Sequence, residues 1–299
     1  MISLWNTLLE MLKGIRPPFF MGLSLYQIGI FYWKGIYEGS VTSRAASIAF
    51  SFFLALFPGV IFIFTLIPFI PIEGFQAELF VLLKQILPPT SFDATYSTVN
   101  DILTVQRGNL LGFTVVAALF FATNGTLSLI SNFTQTIHKV DLRTFWSQYF
   151  AALVLTLALS FLLLIGIGLL ILSDGVVQWI AQKDIAISTD WITLSAWRYL
   201  ILFGIILLAV SLLFKYGPSS KAPWQLVSPG SLLATLLVLG TSYLFGYYVS
   251  HFSTYNQLYG SIGTLMVIQL WIYVNAIGLI MGYELDASVA GAKASSQTK

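Results

Sequence analysis

Residues 45–70 read AASIAFSFFLALFPGVIFIFTLIPFI, an apolar run without a single charge. A bilayer core of about 30 Å takes about 20 apolar residues wound as a helix. A barrel strand would instead alternate polar and apolar positions over about ten residues. The run does not alternate, so it predicts a membrane-spanning helix. The same reading predicts five more spans, at 110–131, 148–173, 191–214, 230–250 and 261–283. The fourth is the shortest apolar stretch, between Arg198 and Lys215. It crosses a bilayer only if the helix extends back to Trp191 and Arg198 snorkels to the headgroups. The expected fold is all-α: a polytopic bundle of six transmembrane helices over 45–287.

Composition agrees. Hydrophobic residues make up 57% of the chain and charged residues 9%, where a soluble domain carries about 25% charged residues. The mean hydropathy is +0.85. Net charge is +2 with the basic residues scattered, so no tract tracks a phosphate backbone and no nucleic-acid partner is expected. With no cysteine there is neither a disulfide framework nor a thiolate centre. The start, MISLWNTLLEMLKG, lacks the basic-then-apolar layout of a cleaved signal.

The flanks read differently. In residues 1–44, Trp5, Leu8, Leu9 and Leu12 share one helical face ahead of Pro17-Pro18, which predicts an amphipathic helix lying on the membrane. Residues 19–33 predict a second interfacial or half-buried helix, with Gln27 in its middle. The loop 71–108 repeats apolar residues at helical spacing from Leu79 to Leu87 and predicts a small helical cap. Residues 288–299 are expected to form a flexible tail. Ten basic residues fall on the side of the amino terminus and four on the other. That bias predicts both termini in the cytoplasm and the cap outside.

Helices in lipid associate through small residues. Stripes of these occur at Ser47, Ser51, Ala55 and Gly59, at Ala118, Ala122 and Gly125, at Ser242 and Gly246, and at Gly278 and Gly282. Pro58 and Pro68 are expected to kink or end the first span. Polar groups inside spans are costly and informative. Asn124, Gln269 and Asn275, with Tyr259 at the entry to the sixth span, are the candidates for a polar path or an interhelix lock. Arg44 and Glu284 stand at matching ends of the first and sixth spans. If the flanking stripes face each other, the two can pair as a latch or gate; otherwise Arg44 holds a lipid phosphate.

The sixth span and its lead-in carry Tyr259-Gly260-Ser261-Ile262-Gly263-Thr264, then Trp271, then Gly282-Tyr283-Glu284. With RAASIAFSFFLALFPG at 44–59, Tyr216-Gly217-Pro218 and Pro229-Gly230, these pieces resemble the YihY/BrkB family of bacterial inner-membrane proteins. The resemblance covers about residues 25–290. Two positions depart from the family's pattern: Ser51, where tyrosine is frequent, and Asp286, where asparagine is common. The resemblance implies a six-span protein of the inner membrane and transport or export of a lipid-like or small solute. Some members carry a virulence-factor label, others an old ribonuclease BN label.

The residues do not support the ribonuclease label. His138 and His251 fall on opposite faces in the expected topology, and the acidic residues are dispersed, with no metal-ligand spacing. No GxxxxGK[ST] loop is present. No enzyme activity, cofactor or metal is expected. Two functions remain: a transporter or exporter in contact with membrane lipids, or a scaffold that binds a partner of the envelope through the outward cap.

Overall fold

The computed structural model describes residues 24–66, 108–136, 144–182, 191–218, 227–251 and 261–297, together with Glu10, Lys13, Gly14 and Gly22. The expected cap at 71–108 and Tyr259 lie outside the described residues. All regular structure among the described residues is helical. In chain order the helices are α1 (Leu25–Glu38), α2 (Val41–Leu66), α3 (Gly108–Thr134), α4 (Phe145–Gln182), α5 (Trp191–Tyr216), α6 (Pro229–His251) and α7 (Ser261–Gln297).

Six of these are long and apolar enough to cross a bilayer: Val41–Phe62, Gly108–Thr134, Phe145–Leu169, Arg198–Tyr216, Pro229–Val249 and Leu265–Lys293. Their outward side chains are large and apolar. Phe113, Phe150 and Leu164 are exposed, as side chains that meet lipid tails should be. Helix α5 begins at Trp191, a full turn and more before Arg198. Pro58 lies inside α2 without ending it.

The described residues form two compact units. Residues 51–125 make the smaller one and residues 1–50 with 126–299 the larger. In the smaller unit, Thr65 and Thr114 share a hydrogen bond of 3.1 Å. The ring of Phe52 lies against Gly125, where a Cβ would come within 3.6 Å of it. In the larger unit, α7 packs on α6 and on α1, and α5 packs on both α4 and α6. Thr156 donates to Thr126 at 2.8 Å, tying α4 to the last turns of α3.

Helix α1 starts at a capping box. Ser24 accepts from the Gln27 amide at 3.3 Å, and Gln27 reaches back to the Ser24 amide at 3.1 Å. It ends at Gly39, and Ser40 takes a left-handed turn (φ 49°) into α2.

Two expectations change. The carboxyl-terminal stretch is not a loose tail: α7 continues to Gln297. Its alanines favour helix, and Val289 and Ala292 are buried against Ile28 of α1. Nor does the Gly278/Gly282 stripe face the first span. A Cβ at Gly282 would collide with the Cβ of Ala234, and one at Gly278 would lie 3.2 Å from that of Leu237, so the stripe faces α6. The stripe on α2 faces α3 instead: Ser128 donates to the Ser47 carbonyl at 3.4 Å.

Candidate functional site

Five of the seven helices, α1, α2, α3, α5 and α7, contribute to one buried polar centre or to the aromatic floor beside it. Arg44 lies in the first turns of α2 and Glu284 in the second half of α7, and Arg44 Nη1 is 2.5 Å from Glu284 Oε1. Arg44 is 4% exposed and Glu284 is completely buried. The other carboxylate oxygen accepts from Thr136 Oγ1 at 2.8 Å. Ser288 Oγ donates to the Glu284 carbonyl at 2.6 Å, holding the turn of α7 beneath it.

The guanidinium also caps two helices. Its Nε donates to the carbonyl of Asn132 at 2.8 Å, in the last turn of α3. Its Nη1 donates to the carbonyl of Gly39 at 3.2 Å, just past the end of α1. Helix ends leave carbonyls without intrahelical partners and carry partial negative charge. A cation at the meeting of two such ends is therefore stabilised by both. Gly39 permits this approach: a Cβ there would strike the Gly35 carbonyl and stand 3.4 Å from Nη1. Asn132 is fixed in turn, its amide donating to the Ser128 carbonyl at 2.8 Å and to Ser47 Oγ at 3.4 Å.

An aromatic floor closes the centre. The rings of Phe133 (α3) and Tyr283 (α7) stack at 4.7 Å, and Phe214 (α5) meets both edge-on at 5.3 and 5.4 Å. Tyr32 of α1 is near enough that the charge of Glu284 adds to burial in holding its phenol above the ordinary range. One donor in the centre is unmet: Arg44 Nη2 is buried without a hydrogen-bond partner. Beside it opens a recess of ≈ 330 Å³, lined among others by Glu38, Ser43, Arg44, Ser47 and Asn132.

A second carboxylate, Asp286, faces the other way, since two residues on a helix are about 200° apart. It accepts from Ser228 Oγ at 2.5 Å and from the Gly230 amide at 2.7 Å. Those groups begin α6, so Asp286 is an anionic cap supplied by a neighbouring helix. Ser228 and Ser231 complete the cap, each hydroxyl accepting from the other's amide at 2.9 Å. A Cβ at Gly230 would run into Asp286 and the Gly282 carbonyl, so the Pro229-Gly230 pair lets the two backbones touch.

The remaining candidates are spread out. The carbonyl oxygen of the Asn275 side chain accepts from Ser242 at 3.2 Å and from Thr241 at 3.3 Å, and its amide donates to the Trp271 carbonyl at 2.8 Å. It therefore ties α7 to α6. Gln269 Oε1, two turns away, is buried without a donor. Asn124 is half-buried and belongs to the smaller unit.

Asn132 and Thr136 were not among the residues singled out from the sequence. A signal for Asn132 existed: it extends the stripe Ala118, Ala122, Gly125 by one seven-residue step. Thr136 lies beyond the helix end, where spacing carries no information. Among the described residues, no group of three or more His, Cys, Asp or Glu side chains is placed to hold a metal.

Comparison with known proteins places this architecture. The family model for Virulence factor BrkB matches residues 32–299. YfkH of Bacillus subtilis (strain 168), whose name calls it ribonuclease-like, is 29% identical over 255 residues, covering 84% of this chain and 90% of its own. A UPF0761 membrane protein of Xanthomonas campestris pv. campestris (strain B100) is 24% identical over 271 residues, and one of Xanthomonas oryzae pv. oryzae (strain PXO99A) is 26% identical. The chain spans 60% of the length of each of these two. No solved structure matches it. With its match running from α1 to the carboxyl terminus and six helices fit to cross a bilayer, the chain belongs to the BrkB family of membrane proteins.

Proposed function

We propose that the chain is a transporter or exporter of a lipid-like or small solute in the bacterial inner membrane. In this reading both termini are cytoplasmic and the Arg44–Glu284 pair is the gate at that end of the bundle. The observation that carries it is the burial of the pair between the first and last spans. Taking two charges out of water costs several kcal/mol per ion, about as much as their attraction returns. An ion pair so placed adds little net stability, yet breaking it is expensive. A register-setting or switching role is the best-attested use of such a pair. Ionisable groups inside membrane segments are rare and costly, and solute and ion paths are among their uses.

The test is uptake into proteoliposomes across a panel of lipids and small solutes. Wild-type protein is expected to speed at least one of them over empty liposomes, and Arg44→Lys, which keeps the charge but loses the fork of donors, to slow it. A panel moved no faster than through empty liposomes counts against transport. A second reading, a non-transporting envelope scaffold, is favoured by Asn275, whose bonds to α6 serve to lock two helices.

In neither reading is the chain an enzyme. The carboxylates nearest the centre are engaged, Glu284 by Arg44 and Thr136, Asp286 by Ser228 and Gly230. Purified protein is expected not to cleave RNA. Cleavage that copurifies with the chain and vanishes in His138→Ala or His251→Ala would refute this.

A further inference from the structure

The recess beside Arg44 has two chemically distinct sides. On the inner side stands the guanidinium, with Nη2 buried and lacking an acceptor. Next to it are the exposed hydroxyl residues Ser43 and Ser47 in the first turns of α2. The start of a long helix adds partial positive charge there. On the other side stands Glu38, exposed and paired with Lys34 at 3.9 Å. An exposed pair at that distance holds its partners weakly. One side of the recess thus carries Arg44 and two hydroxyls, and the other a carboxylate.

The site as a whole is close to neutral. Arg44 is balanced by Glu284, and Glu38 by Lys34. A simple anion would meet Glu284, Glu38 and the carbonyl ends of α1 and α3. A ligand carrying both signs meets complementary groups on each side. The volume, ≈ 330 Å³, is at the small end of ligand pockets. The recess is also placed for a membrane ligand. Glu38 and Ser40 directly precede the first span, which opens at Val41, so they lie where headgroups lie.

We propose that this recess binds a zwitterionic aminophosphate headgroup, with the phosphate against Arg44 and the serines of α2 and the ammonium against Glu38. Arginine is suited to the phosphate by its planar, multiple donors. The inference deepens the transport reading by naming a ligand class. Its test measures binding, so failure of transport and failure of the site are read separately.

The full chain in an uncharged detergent is titrated with dihexanoyl phosphatidylethanolamine, dihexanoyl phosphatidylglycerol and soluble phosphoethanolamine, following the melting temperature. Phosphatidylethanolamine is expected to raise it at lower concentration than phosphatidylglycerol. Response to phosphoethanolamine as well would mean the headgroup alone suffices; response to the lipid alone would mean the bilayer is the source. Either supports the site. Ser43→Glu, which sets a carboxylate against the phosphate, is expected to weaken the aminophosphate response about tenfold or more. Glu38→Lys is expected to reverse the order of the two lipids. Both positions are exposed, so the unliganded variants should melt close to wild type. Equal responses to the two lipids in the wild-type protein, or an order unchanged in both variants, would overturn the proposal.

Discussion

Glu284 and Asp286 are two residues apart and do separate work. Glu284 neutralises a buried guanidinium, whereas Asp286 receives donors at the start of α6. The second task needs acceptors, and one of its two partners is a hydroxyl that can turn. Asp286→Asn should therefore be tolerated, with Oδ1 accepting from Gly230 and Nδ2 donating to Ser228. We expect it to change stability by less than about 1 kcal/mol, and Asp286→Ala to cost about 2–3 kcal/mol through the unmet donors. Melting of the detergent-solubilised variants separates them. Arg44 and Glu284 were legible in the sequence because charges at the ends of apolar runs stand out. Their remaining partners were not, since the Gly39 and Asn132 contributions are main-chain carbonyls, which every residue carries.

The helices themselves were legible from uninterrupted apolar length, which suffices for a span because the bilayer fixes how long it must be. Their neighbours were not. A small-residue stripe states that another backbone comes close but not which one. The Gly278/Gly282 stripe meets α6, while Arg44 and Glu284 meet through a different face of α7. The carboxyl-terminal helix was missed for a related reason: its polar composition reads as a tail until α1 is placed against it. The glycine seam gives an expectation at this scale. In Gly282→Leu the new side chain would enter Ala234 and the Gly230 carbonyl, so α6 and α7 must part. Overpacking of this kind costs about 1–3 kcal/mol or more. Gly246→Leu, at a position with nothing within 4 Å, should be near neutral. Equal effects of the two on melting would refute the seam.

At the scale of the whole chain, the basic-residue bias sets the expected orientation. Cytoplasmic-type reporters should be active when fused after Lys221 or at the carboxyl terminus, and periplasmic-type reporters when fused near Asp184. A carboxyl terminus found outside would contradict six spans with a cytoplasmic start. The Arg44–Glu284 contact joins residues 240 positions apart, on the first and last spans. A charge swap is a poor probe of it, because glutamate at 44 would face the Gly39 and Asn132 carbonyls. Neutral glutamine can still donate to those carbonyls and still accept from Thr136. The decisive experiment is therefore a double-mutant cycle of Arg44→Gln and Glu284→Gln, read by melting of purified protein. Each single variant leaves one charge buried without its partner and should lose about 3–5 kcal/mol. The double variant should lose less than the sum by about 1 kcal/mol or more. Losses that simply add would mean that the first and last spans are not held together by this pair.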